Sequence, residues 1–280
     1  MIPIDGTRLF NYRSKLISLN SISVDNEVIS YEFPLNEKVR TLLRLEDLFT
    51  RMSHFIEHEH SIGHHAAIST LFEILEVTSR GDLKSDLLQE LERQKRNLSA
   101  LHDNPAISEN ALDAIIAEID TASSSLLAMT GKTGQHLREN EWLMSIKLRD
   151  NMPGGACEFD LPSYHFWRSQ DASLQRENLK AWLAPFLPLH TGLKIILRLL
   201  RESGKAFNFI GNKGSFQQMQ GGRVAQMLRV RLNEELVCIP EVSANKYAIN
   251  IRFIVADFAS KSTLFEQDVP FELIFCNIAS

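Results

Sequence analysis

The sequence predicts an α+β protein: an N-terminal and central all-helical domain plus a smaller antiparallel β-domain built from the C-terminal third and an N-terminal strand. Three observations carry this. Apolar residues recur every three or four positions from about 34 to 203, the period of helices that bury one face. From 204 onward the period becomes two, in short runs separated by Gly, Asn, Ser or Pro, as in an antiparallel sheet. Near the start, "VISYEF" (28–33) alternates in the same way and is expected to join that sheet. The β-domain then takes strands from both chain ends, with the helices inserted between them.

Residues 1–27 show no sustained period and read as an N-terminal extension. After the strand at 28–33, Pro34 opens a long helical pattern in which Val39, Leu42, Leu45, Leu48, Phe49, Met52, Phe55 and Ile56 form one apolar stripe. A second helix is expected from about Ala66 to Thr78, stopped at Arg80-Gly81. Asp82 caps a third, which ends before Asn104-Pro105. Ser108 precedes a fourth, to about Leu127; Gly131 and Gly134 break it before a fifth pattern, "QHLRENEWLMSIKLRD" (135–150). Two further helices fall at about 174–184 and 189–203. The expected strands are "FNFIG", "GSFQQMQ", "VAQMLRVRL", "KYAINIRFIV" and "FELIFCNI". The domains are therefore an extension at 1–27, a strand at 28–33 that joins the β-domain, a helical domain at 34–203 and a β-domain at 204–280.

Length and composition are those of a soluble protein with a sizeable core: 280 residues, 44% apolar and 23% charged. Charged residues are scattered through the first thirty positions, which predicts neither signal peptide nor membrane anchor and a cytoplasmic location. Three widely spaced cysteines, Cys157, Cys238 and Cys276, with no CxxC pair, argue against a disulfide framework or a zinc ribbon.

Charge is segregated. Between Lys194 and Arg231 eight basic residues stand against one acid, Glu202, a local charge of +7 in a chain whose total is -5. Alternation puts Arg229 and Arg231 on one face of their strand, opposite Leu228, Val230 and Leu232. It likewise puts Lys246, Asn250 and Arg252 opposite Tyr247, Ile249, Ile251 and Phe253. Two strands thus read as one basic sheet face, suited to an acidic peptide or to a phosphate backbone. A nucleic-acid-binding module is the rival reading, weakened because Tyr247 and Phe253 fall on the opposite face from the cations.

Reaction chemistry finds little support. Cys157 and His165 lie eight residues apart in "MPGGACEFDLPSYHFW" (152–167), but the flanking Glu158 and Asp160 oppose a thiolate. The stretch reads instead as a tight turn, a short helix beginning near "DLP", and packing residues Tyr164, Phe166 and Trp167. In "HFIEHEHSIGHH" (54–65), His54 and His58 are four apart, as helical zinc ligands can be, yet Phe55 stands where a zinc protease needs Glu. These histidines read as a solvated helix end and loop. "GKTG" (131–134) lacks the earlier glycine of a phosphate loop. The expectation is no enzyme, no catalytic residue, no cofactor and no metal.

Several separated motifs, "PLNEKVRTLLRLE" (34–46), "QHLRE" (135–139), "MPGGACEFDLP" (152–162), "YHFW" (164–167) and "KYAINIRF" (246–253), together resemble the ZapD family of bacterial cell-division proteins. The resemblance runs from about residue 28 to the end. It implies a helical domain plus a β-domain, a homodimer and no enzymatic activity. It also implies a cytoplasmic protein at the mid-cell division site that binds the C-terminal tail of FtsZ and crosslinks FtsZ protofilaments into bundles, promoting Z-ring assembly and septation. By position it carries over a basic partner-binding set: Arg40, Arg44, Arg80, Arg138, His165, Lys246 and Arg252, with Arg229 or Arg231 compensating where relatives have an arginine and this chain has Ala248. Under the same resemblance Cys157 is expected to be buried and His165 to be a contact.

Overall fold

The computed structural model describes residues 28–102, 108–219, 225–245, 247–257, 259 and 261–278. The expected N-terminal extension, Arg223 and Lys246 lie outside the described residues.

Strand β1 (Val28–Pro34) is followed by helices α1 (Glu37–Ile56), α2 (Ser61–Thr78), α3 (Leu83–Ser99) and α4 (Glu109–Ala128). Next come α5 (Gln135–Arg138), α6 (Glu141–Asp150), α7 (Pro162–Arg168), α8 (Ala172–Leu183) and α9 (Leu187–Glu202). Strands β2 (Lys205–Gly211), β3 (Ser215–Met219), β4 (Met227–Asn233), β5 (Cys238–Ala244), β6 (Ala248–Val255) and β7 (Val269–Cys276) complete the order. The fold is α+β, and β1 joins the C-terminal strands by pairing antiparallel with β4.

The predicted stripe of α1 is the buried one except at Phe55, which is half-buried at the edge of the core, and Asn36 caps this helix by accepting the Val39 N–H at 2.8 Å. Helix α9 buries Leu189, Leu193, Ile196, Leu197 and Leu200 and packs on α1, α3, α4 and β7, at the centre of the helical core. The run Ala172–Glu202 is long and apolar enough to cross a membrane by length and composition. It is, however, made of α8, a 3-10 turn at Ala184–Phe186 and α9, and 50% of its apolar window is buried inside the fold.

Three helical expectations are corrected. Helix α2 starts at Ser61 rather than near Ala66, which takes His64 and His65 out of the expected loop. Each takes a distant partner: His64 is fully buried with Nδ1 2.7 Å from Gln175 Oε1 while its Nε2 has none, and His65 Nδ1 lies 2.7 Å from the Tyr164 hydroxyl. The fifth pattern breaks into α5 and α6 because Asn140 turns out of the helix and caps α6, accepting the Leu143 N–H at 3.0 Å. Pro34 ends a strand instead of opening a helix.

The strands form two sheets, ordered β1-β4-β7-β2 and β3-β6-β5. Leu228, Val230 and Leu232 of β4 face Ile249, Ile251 and Phe253 of β6 across a shared core, with Phe271 and Phe253 rings 5.0 Å apart. Strand β5, "CIPEVSA", was not expected from the sequence. Its Pro240 interrupts the pattern but is tolerated because β5 is an edge strand paired only with β6. The outer face of the four-stranded sheet meets the helices through Met227, Ile274 and Cys276, which belong to the helical core.

Candidate partner-binding surface

Helix α5 is one turn long, and its place is set by Gly134. That residue has φ 74°, and a Cβ there would stand 2.3 Å from Leu75 Cδ1, so only glycine lets α5 press against α2. Arg138 Nη1 donates to the Thr133 carbonyl at 2.8 Å, which holds its exposed guanidinium beside the end of α2. There Lys147 of α6 meets Glu76 at 2.6 Å. That hydrogen bond first, then the charges of Lys147, Arg80 and Arg138, hold the Glu76 carboxyl below the usual range. Three cations thus converge on one carboxylate, with Glu73 and Asp150 lining the same depression.

Arg80 also lines a cleft of about 250 Å³ between α1, α3, α9 and the C-terminal strand, floored by Val39, Leu42, Leu83, Leu87, Ile196 and Ile278. At its rim Lys38 meets Asp86 at 2.7 Å, and Glu37 meets Arg40 at 3.3 Å and Arg44 at 3.9 Å. Of the sequence-predicted residues Arg80 lines the cleft, Arg40 and Arg44 lie on Glu37 at its rim, and Arg138 stands on the far side of Arg80 near Glu76; the cleft's own charged lining includes Glu37, Asp86 and Glu90.

The stretch 152–167 forms a different surface. Gly155 backs onto the chain so closely that a Cβ would stand 2.2 Å from the Arg149 carbonyl oxygen, and Pro162 starts α7 at its first turn. Tyr164 is buried and stacks on Trp167 at 5.9 Å, inside a group completed by Trp142 and Trp182. Two expectations fail here. Phe166 is 67% exposed, not packed, because α7 is a single pair of turns with only one face on the core. Cys157 is half-buried rather than buried, as it lies in the turn before that helix. His165 Nδ1 faces Glu158 at 3.4 Å and not the thiol, so the pair lacks a nucleophile-and-base geometry. Among the described residues no group of three or more His, Cys, Asp or Glu converges as metal ligands do.

The expected single basic sheet face is not formed. Strands β4 and β6 turn their apolar faces into the same core from opposite sides, so Arg229 and Arg231 point out of one sheet and Arg252 out of the other. Four arginines of the linear +7 segment are moreover paired with acids distant in sequence. Arg229 meets Glu32 at 3.2 Å, Arg231 meets Glu272 at 2.9 Å, Arg198 meets Glu118, and Arg201 grips Glu32 and Glu46. Arg229 is one-fifth exposed and serves the junction between sheet and helices. Arg252 is exposed opposite Glu241 of β5.

With this geometry in view, comparison with known proteins is decisive. The family model for ZapD, a cell division protein, matches residues 43–252. The chain is 53% identical over 251 residues to the cell division protein ZapD of Aromatoleum aromaticum, covering 90% of this chain and 98% of that one. It is 52% identical over 250 residues to that of Chromobacterium violaceum, covering 89% and 99%, and 49% identical over 263 residues to that of Nitrosomonas europaea, covering 94% and 100%. The chain belongs to the ZapD family. Its role is accordingly in cell division.

In this ZapD-family chain the sequence reading missed Lys147 and the cleft. Lys147 reaches Glu76 across 71 positions, a pairing that no local pattern reveals. The cleft exists only where α1, α3 and α9 meet.

Proposed function

We propose that this ZapD-family protein is a non-enzymatic, cytoplasmic division factor that acts at mid-cell, binds the C-terminal tail of FtsZ, and crosslinks FtsZ protofilaments as a homodimer. The observation that supports this best is Arg80, which borders both an apolar cleft and the Arg138, Lys147 and Glu76 cluster. A tail laid there would place apolar side chains in the cleft and acids on Arg80, Arg138, Arg40 and Arg44, with Arg252 and His165 as outlying contacts. Two copies of one modest site on a two-fold dimer hold tails from two filaments, and many tails along a polymer make the contact avid. The rival reading, nucleic acid on a basic sheet, has no single basic sheet face to use among the described residues.

The test is sedimentation of FtsZ polymerised with GTP, using full-length FtsZ and a version lacking its C-terminal tail. Co-pelleting only with the full-length form, weakened by added salt and lost in Arg80→Glu and Arg138→Glu variants that keep their helical circular dichroism, is the expected result. Co-pelleting with tail-less FtsZ, or undiminished in both variants, overturns the assignment of this surface.

A further inference from the structure

His54 lies in the last turn of α1 and His58 just beyond the cap of that helix, where the His58 N–H donates to the Phe55 carbonyl at 3.3 Å. This turn folds His58 back, so that the two Nε2 atoms stand 3.2 Å apart with the rings at 79°. Both side chains are exposed. Of the two acids that flank His58 in the chain, Glu57 and Glu59, the first is paired with Lys180 at 2.9 Å.

Two imidazole nitrogens each about 2.0–2.1 Å from one ion are separated by about 2.9 Å at a right angle and about 3.4 Å at a tetrahedral angle. The observed 3.2 Å falls between those limits. We propose that His54 and His58 form a two-histidine site for a divalent transition-metal ion of the zinc, nickel or copper class. Imidazole selects these ions over magnesium or calcium. The negative end of the α1 dipole favours a cation at this place. Water or a donor from another molecule fills the remaining positions, so the site needs none of the protease-type glutamate that the sequence lacks. The histidine arrangement is partly built in advance. Gly63 of α2 leaves room for it, since a Cβ there would stand 2.5 Å from His58 Cβ and 2.7 Å from His58 Cγ. A bound ion would tie the end of α1 to the turn that leads into α2.

Isothermal titration of the full chain with Zn2+ and with Ni2+ at pH 7.5, in a non-chelating buffer, tests this. One ion per chain is expected, bound about tenfold or more weaker in each of His54→Ala and His58→Ala. Added Zn2+ should also raise the melting temperature of the unmodified protein and not that of H58A. Both histidines are at the surface, so the variants keep their fold. Equal affinity in all three proteins would place the ion elsewhere, for instance on Cys157, and overturn the proposal. No binding at millimolar ion would overturn it too, leaving the pair as a hydrogen bond between two rings.

Discussion

Arg201, on α9, holds the carboxylate of Glu32, on β1, through two parallel hydrogen bonds, Nε to Oε1 and Nη2 to Oε2, both 2.8 Å. The same guanidinium also donates to both oxygens of Glu46 on α1, at 2.8 and 2.6 Å. Arg229 approaches Glu32 from β4, so one cluster joins the sheet to the two helices beneath it. The guanidinium pKa is raised by these bonds, to Glu46 first and Glu32 second.

Arg201→Met should therefore cost far more than loss of an ordinary surface pair. It strands Glu46, 28% exposed, and leaves Glu32, 20% exposed, with Arg229 alone, which predicts a loss of about 2–3 kcal/mol. Arg198→Met breaks the pair with Glu118, where both side chains are more than 40% exposed, and should cost under about 1 kcal/mol. Urea denaturation of the two variants compares them directly. Equal losses would show that the cluster adds nothing beyond a surface ion pair.

The three thiols should separate cleanly. Burial pushes the Cys238 thiol up and the Cys276 thiol up to about 11, while Cys157 lies half-exposed in its turn. A disulfide reagent at pH 8 should titrate one thiol quickly in the native protein and two slowly, with all three fast in urea. Cys157→Ser should remove the fast phase. A fast phase that survives this change would contradict the burial of the other two.

Stability should fall on mild acidification, and two histidines set the window. Burial holds His65 below the usual imidazole pKa, against the pull of Asp150, and burial with help from Lys194 does the same for His190, which stacks on Phe49 at 4.4 Å. The folded state thus binds these protons less readily than the unfolded chain. Their contribution is complete above pH 6.5, the ordinary value, and is lost as pH drops through it, by at most about 1.4 kcal/mol per pH unit for each proton. The depressed carboxyls of Glu57, Glu76 and Asp82 act in the same direction, but only below their ordinary values of 4.5 and 3.8. Between pH 7.5 and 5.5 the urea midpoint should therefore drop, and His65→Gln with His190→Gln should flatten the profile. An unchanged slope in the double variant would assign the effect to other groups.

Periodicity made the main elements legible in the sequence, because burial of one helix face or one strand face is a local pattern: the stripe of α1 and the inward faces of β4 and β6 were readable at once. What local pattern cannot encode is which way two faces point once they share a core. Arg229 and Arg252 alternate correctly along their strands yet end on opposite sides of the sandwich. Nor can a linear charge count foresee neutralisation by Glu32, Glu46 or Glu118, which lie 80 or more positions from their arginines. Edge strand β5 was hidden by Pro240, whose acceptability depends on having a neighbour on one side only.

The candidate surface depends on one glycine more than on any of its arginines. At Gly134 a methyl group would meet Leu75 Cδ1 at 2.3 Å and Phe186 Cζ at 3.3 Å, in a backbone with φ 74°. Gly134→Ala combines left-handed strain of about 1 kcal/mol with a steric conflict of about 1–3 kcal/mol, and it lifts α5 away from α2. Gly154→Ala carries the same strain at φ 71° but meets nothing within 4 Å, and should cost only the first of these. If Arg138 works by standing beside Arg80 and Glu76, G134A should weaken FtsZ co-sedimentation even below its melting temperature, whereas G154A should not. Matched stability losses in the two variants would refute the close packing of α5. A G134A protein that bundles normally would show that the position of Arg138 does not matter to the partner.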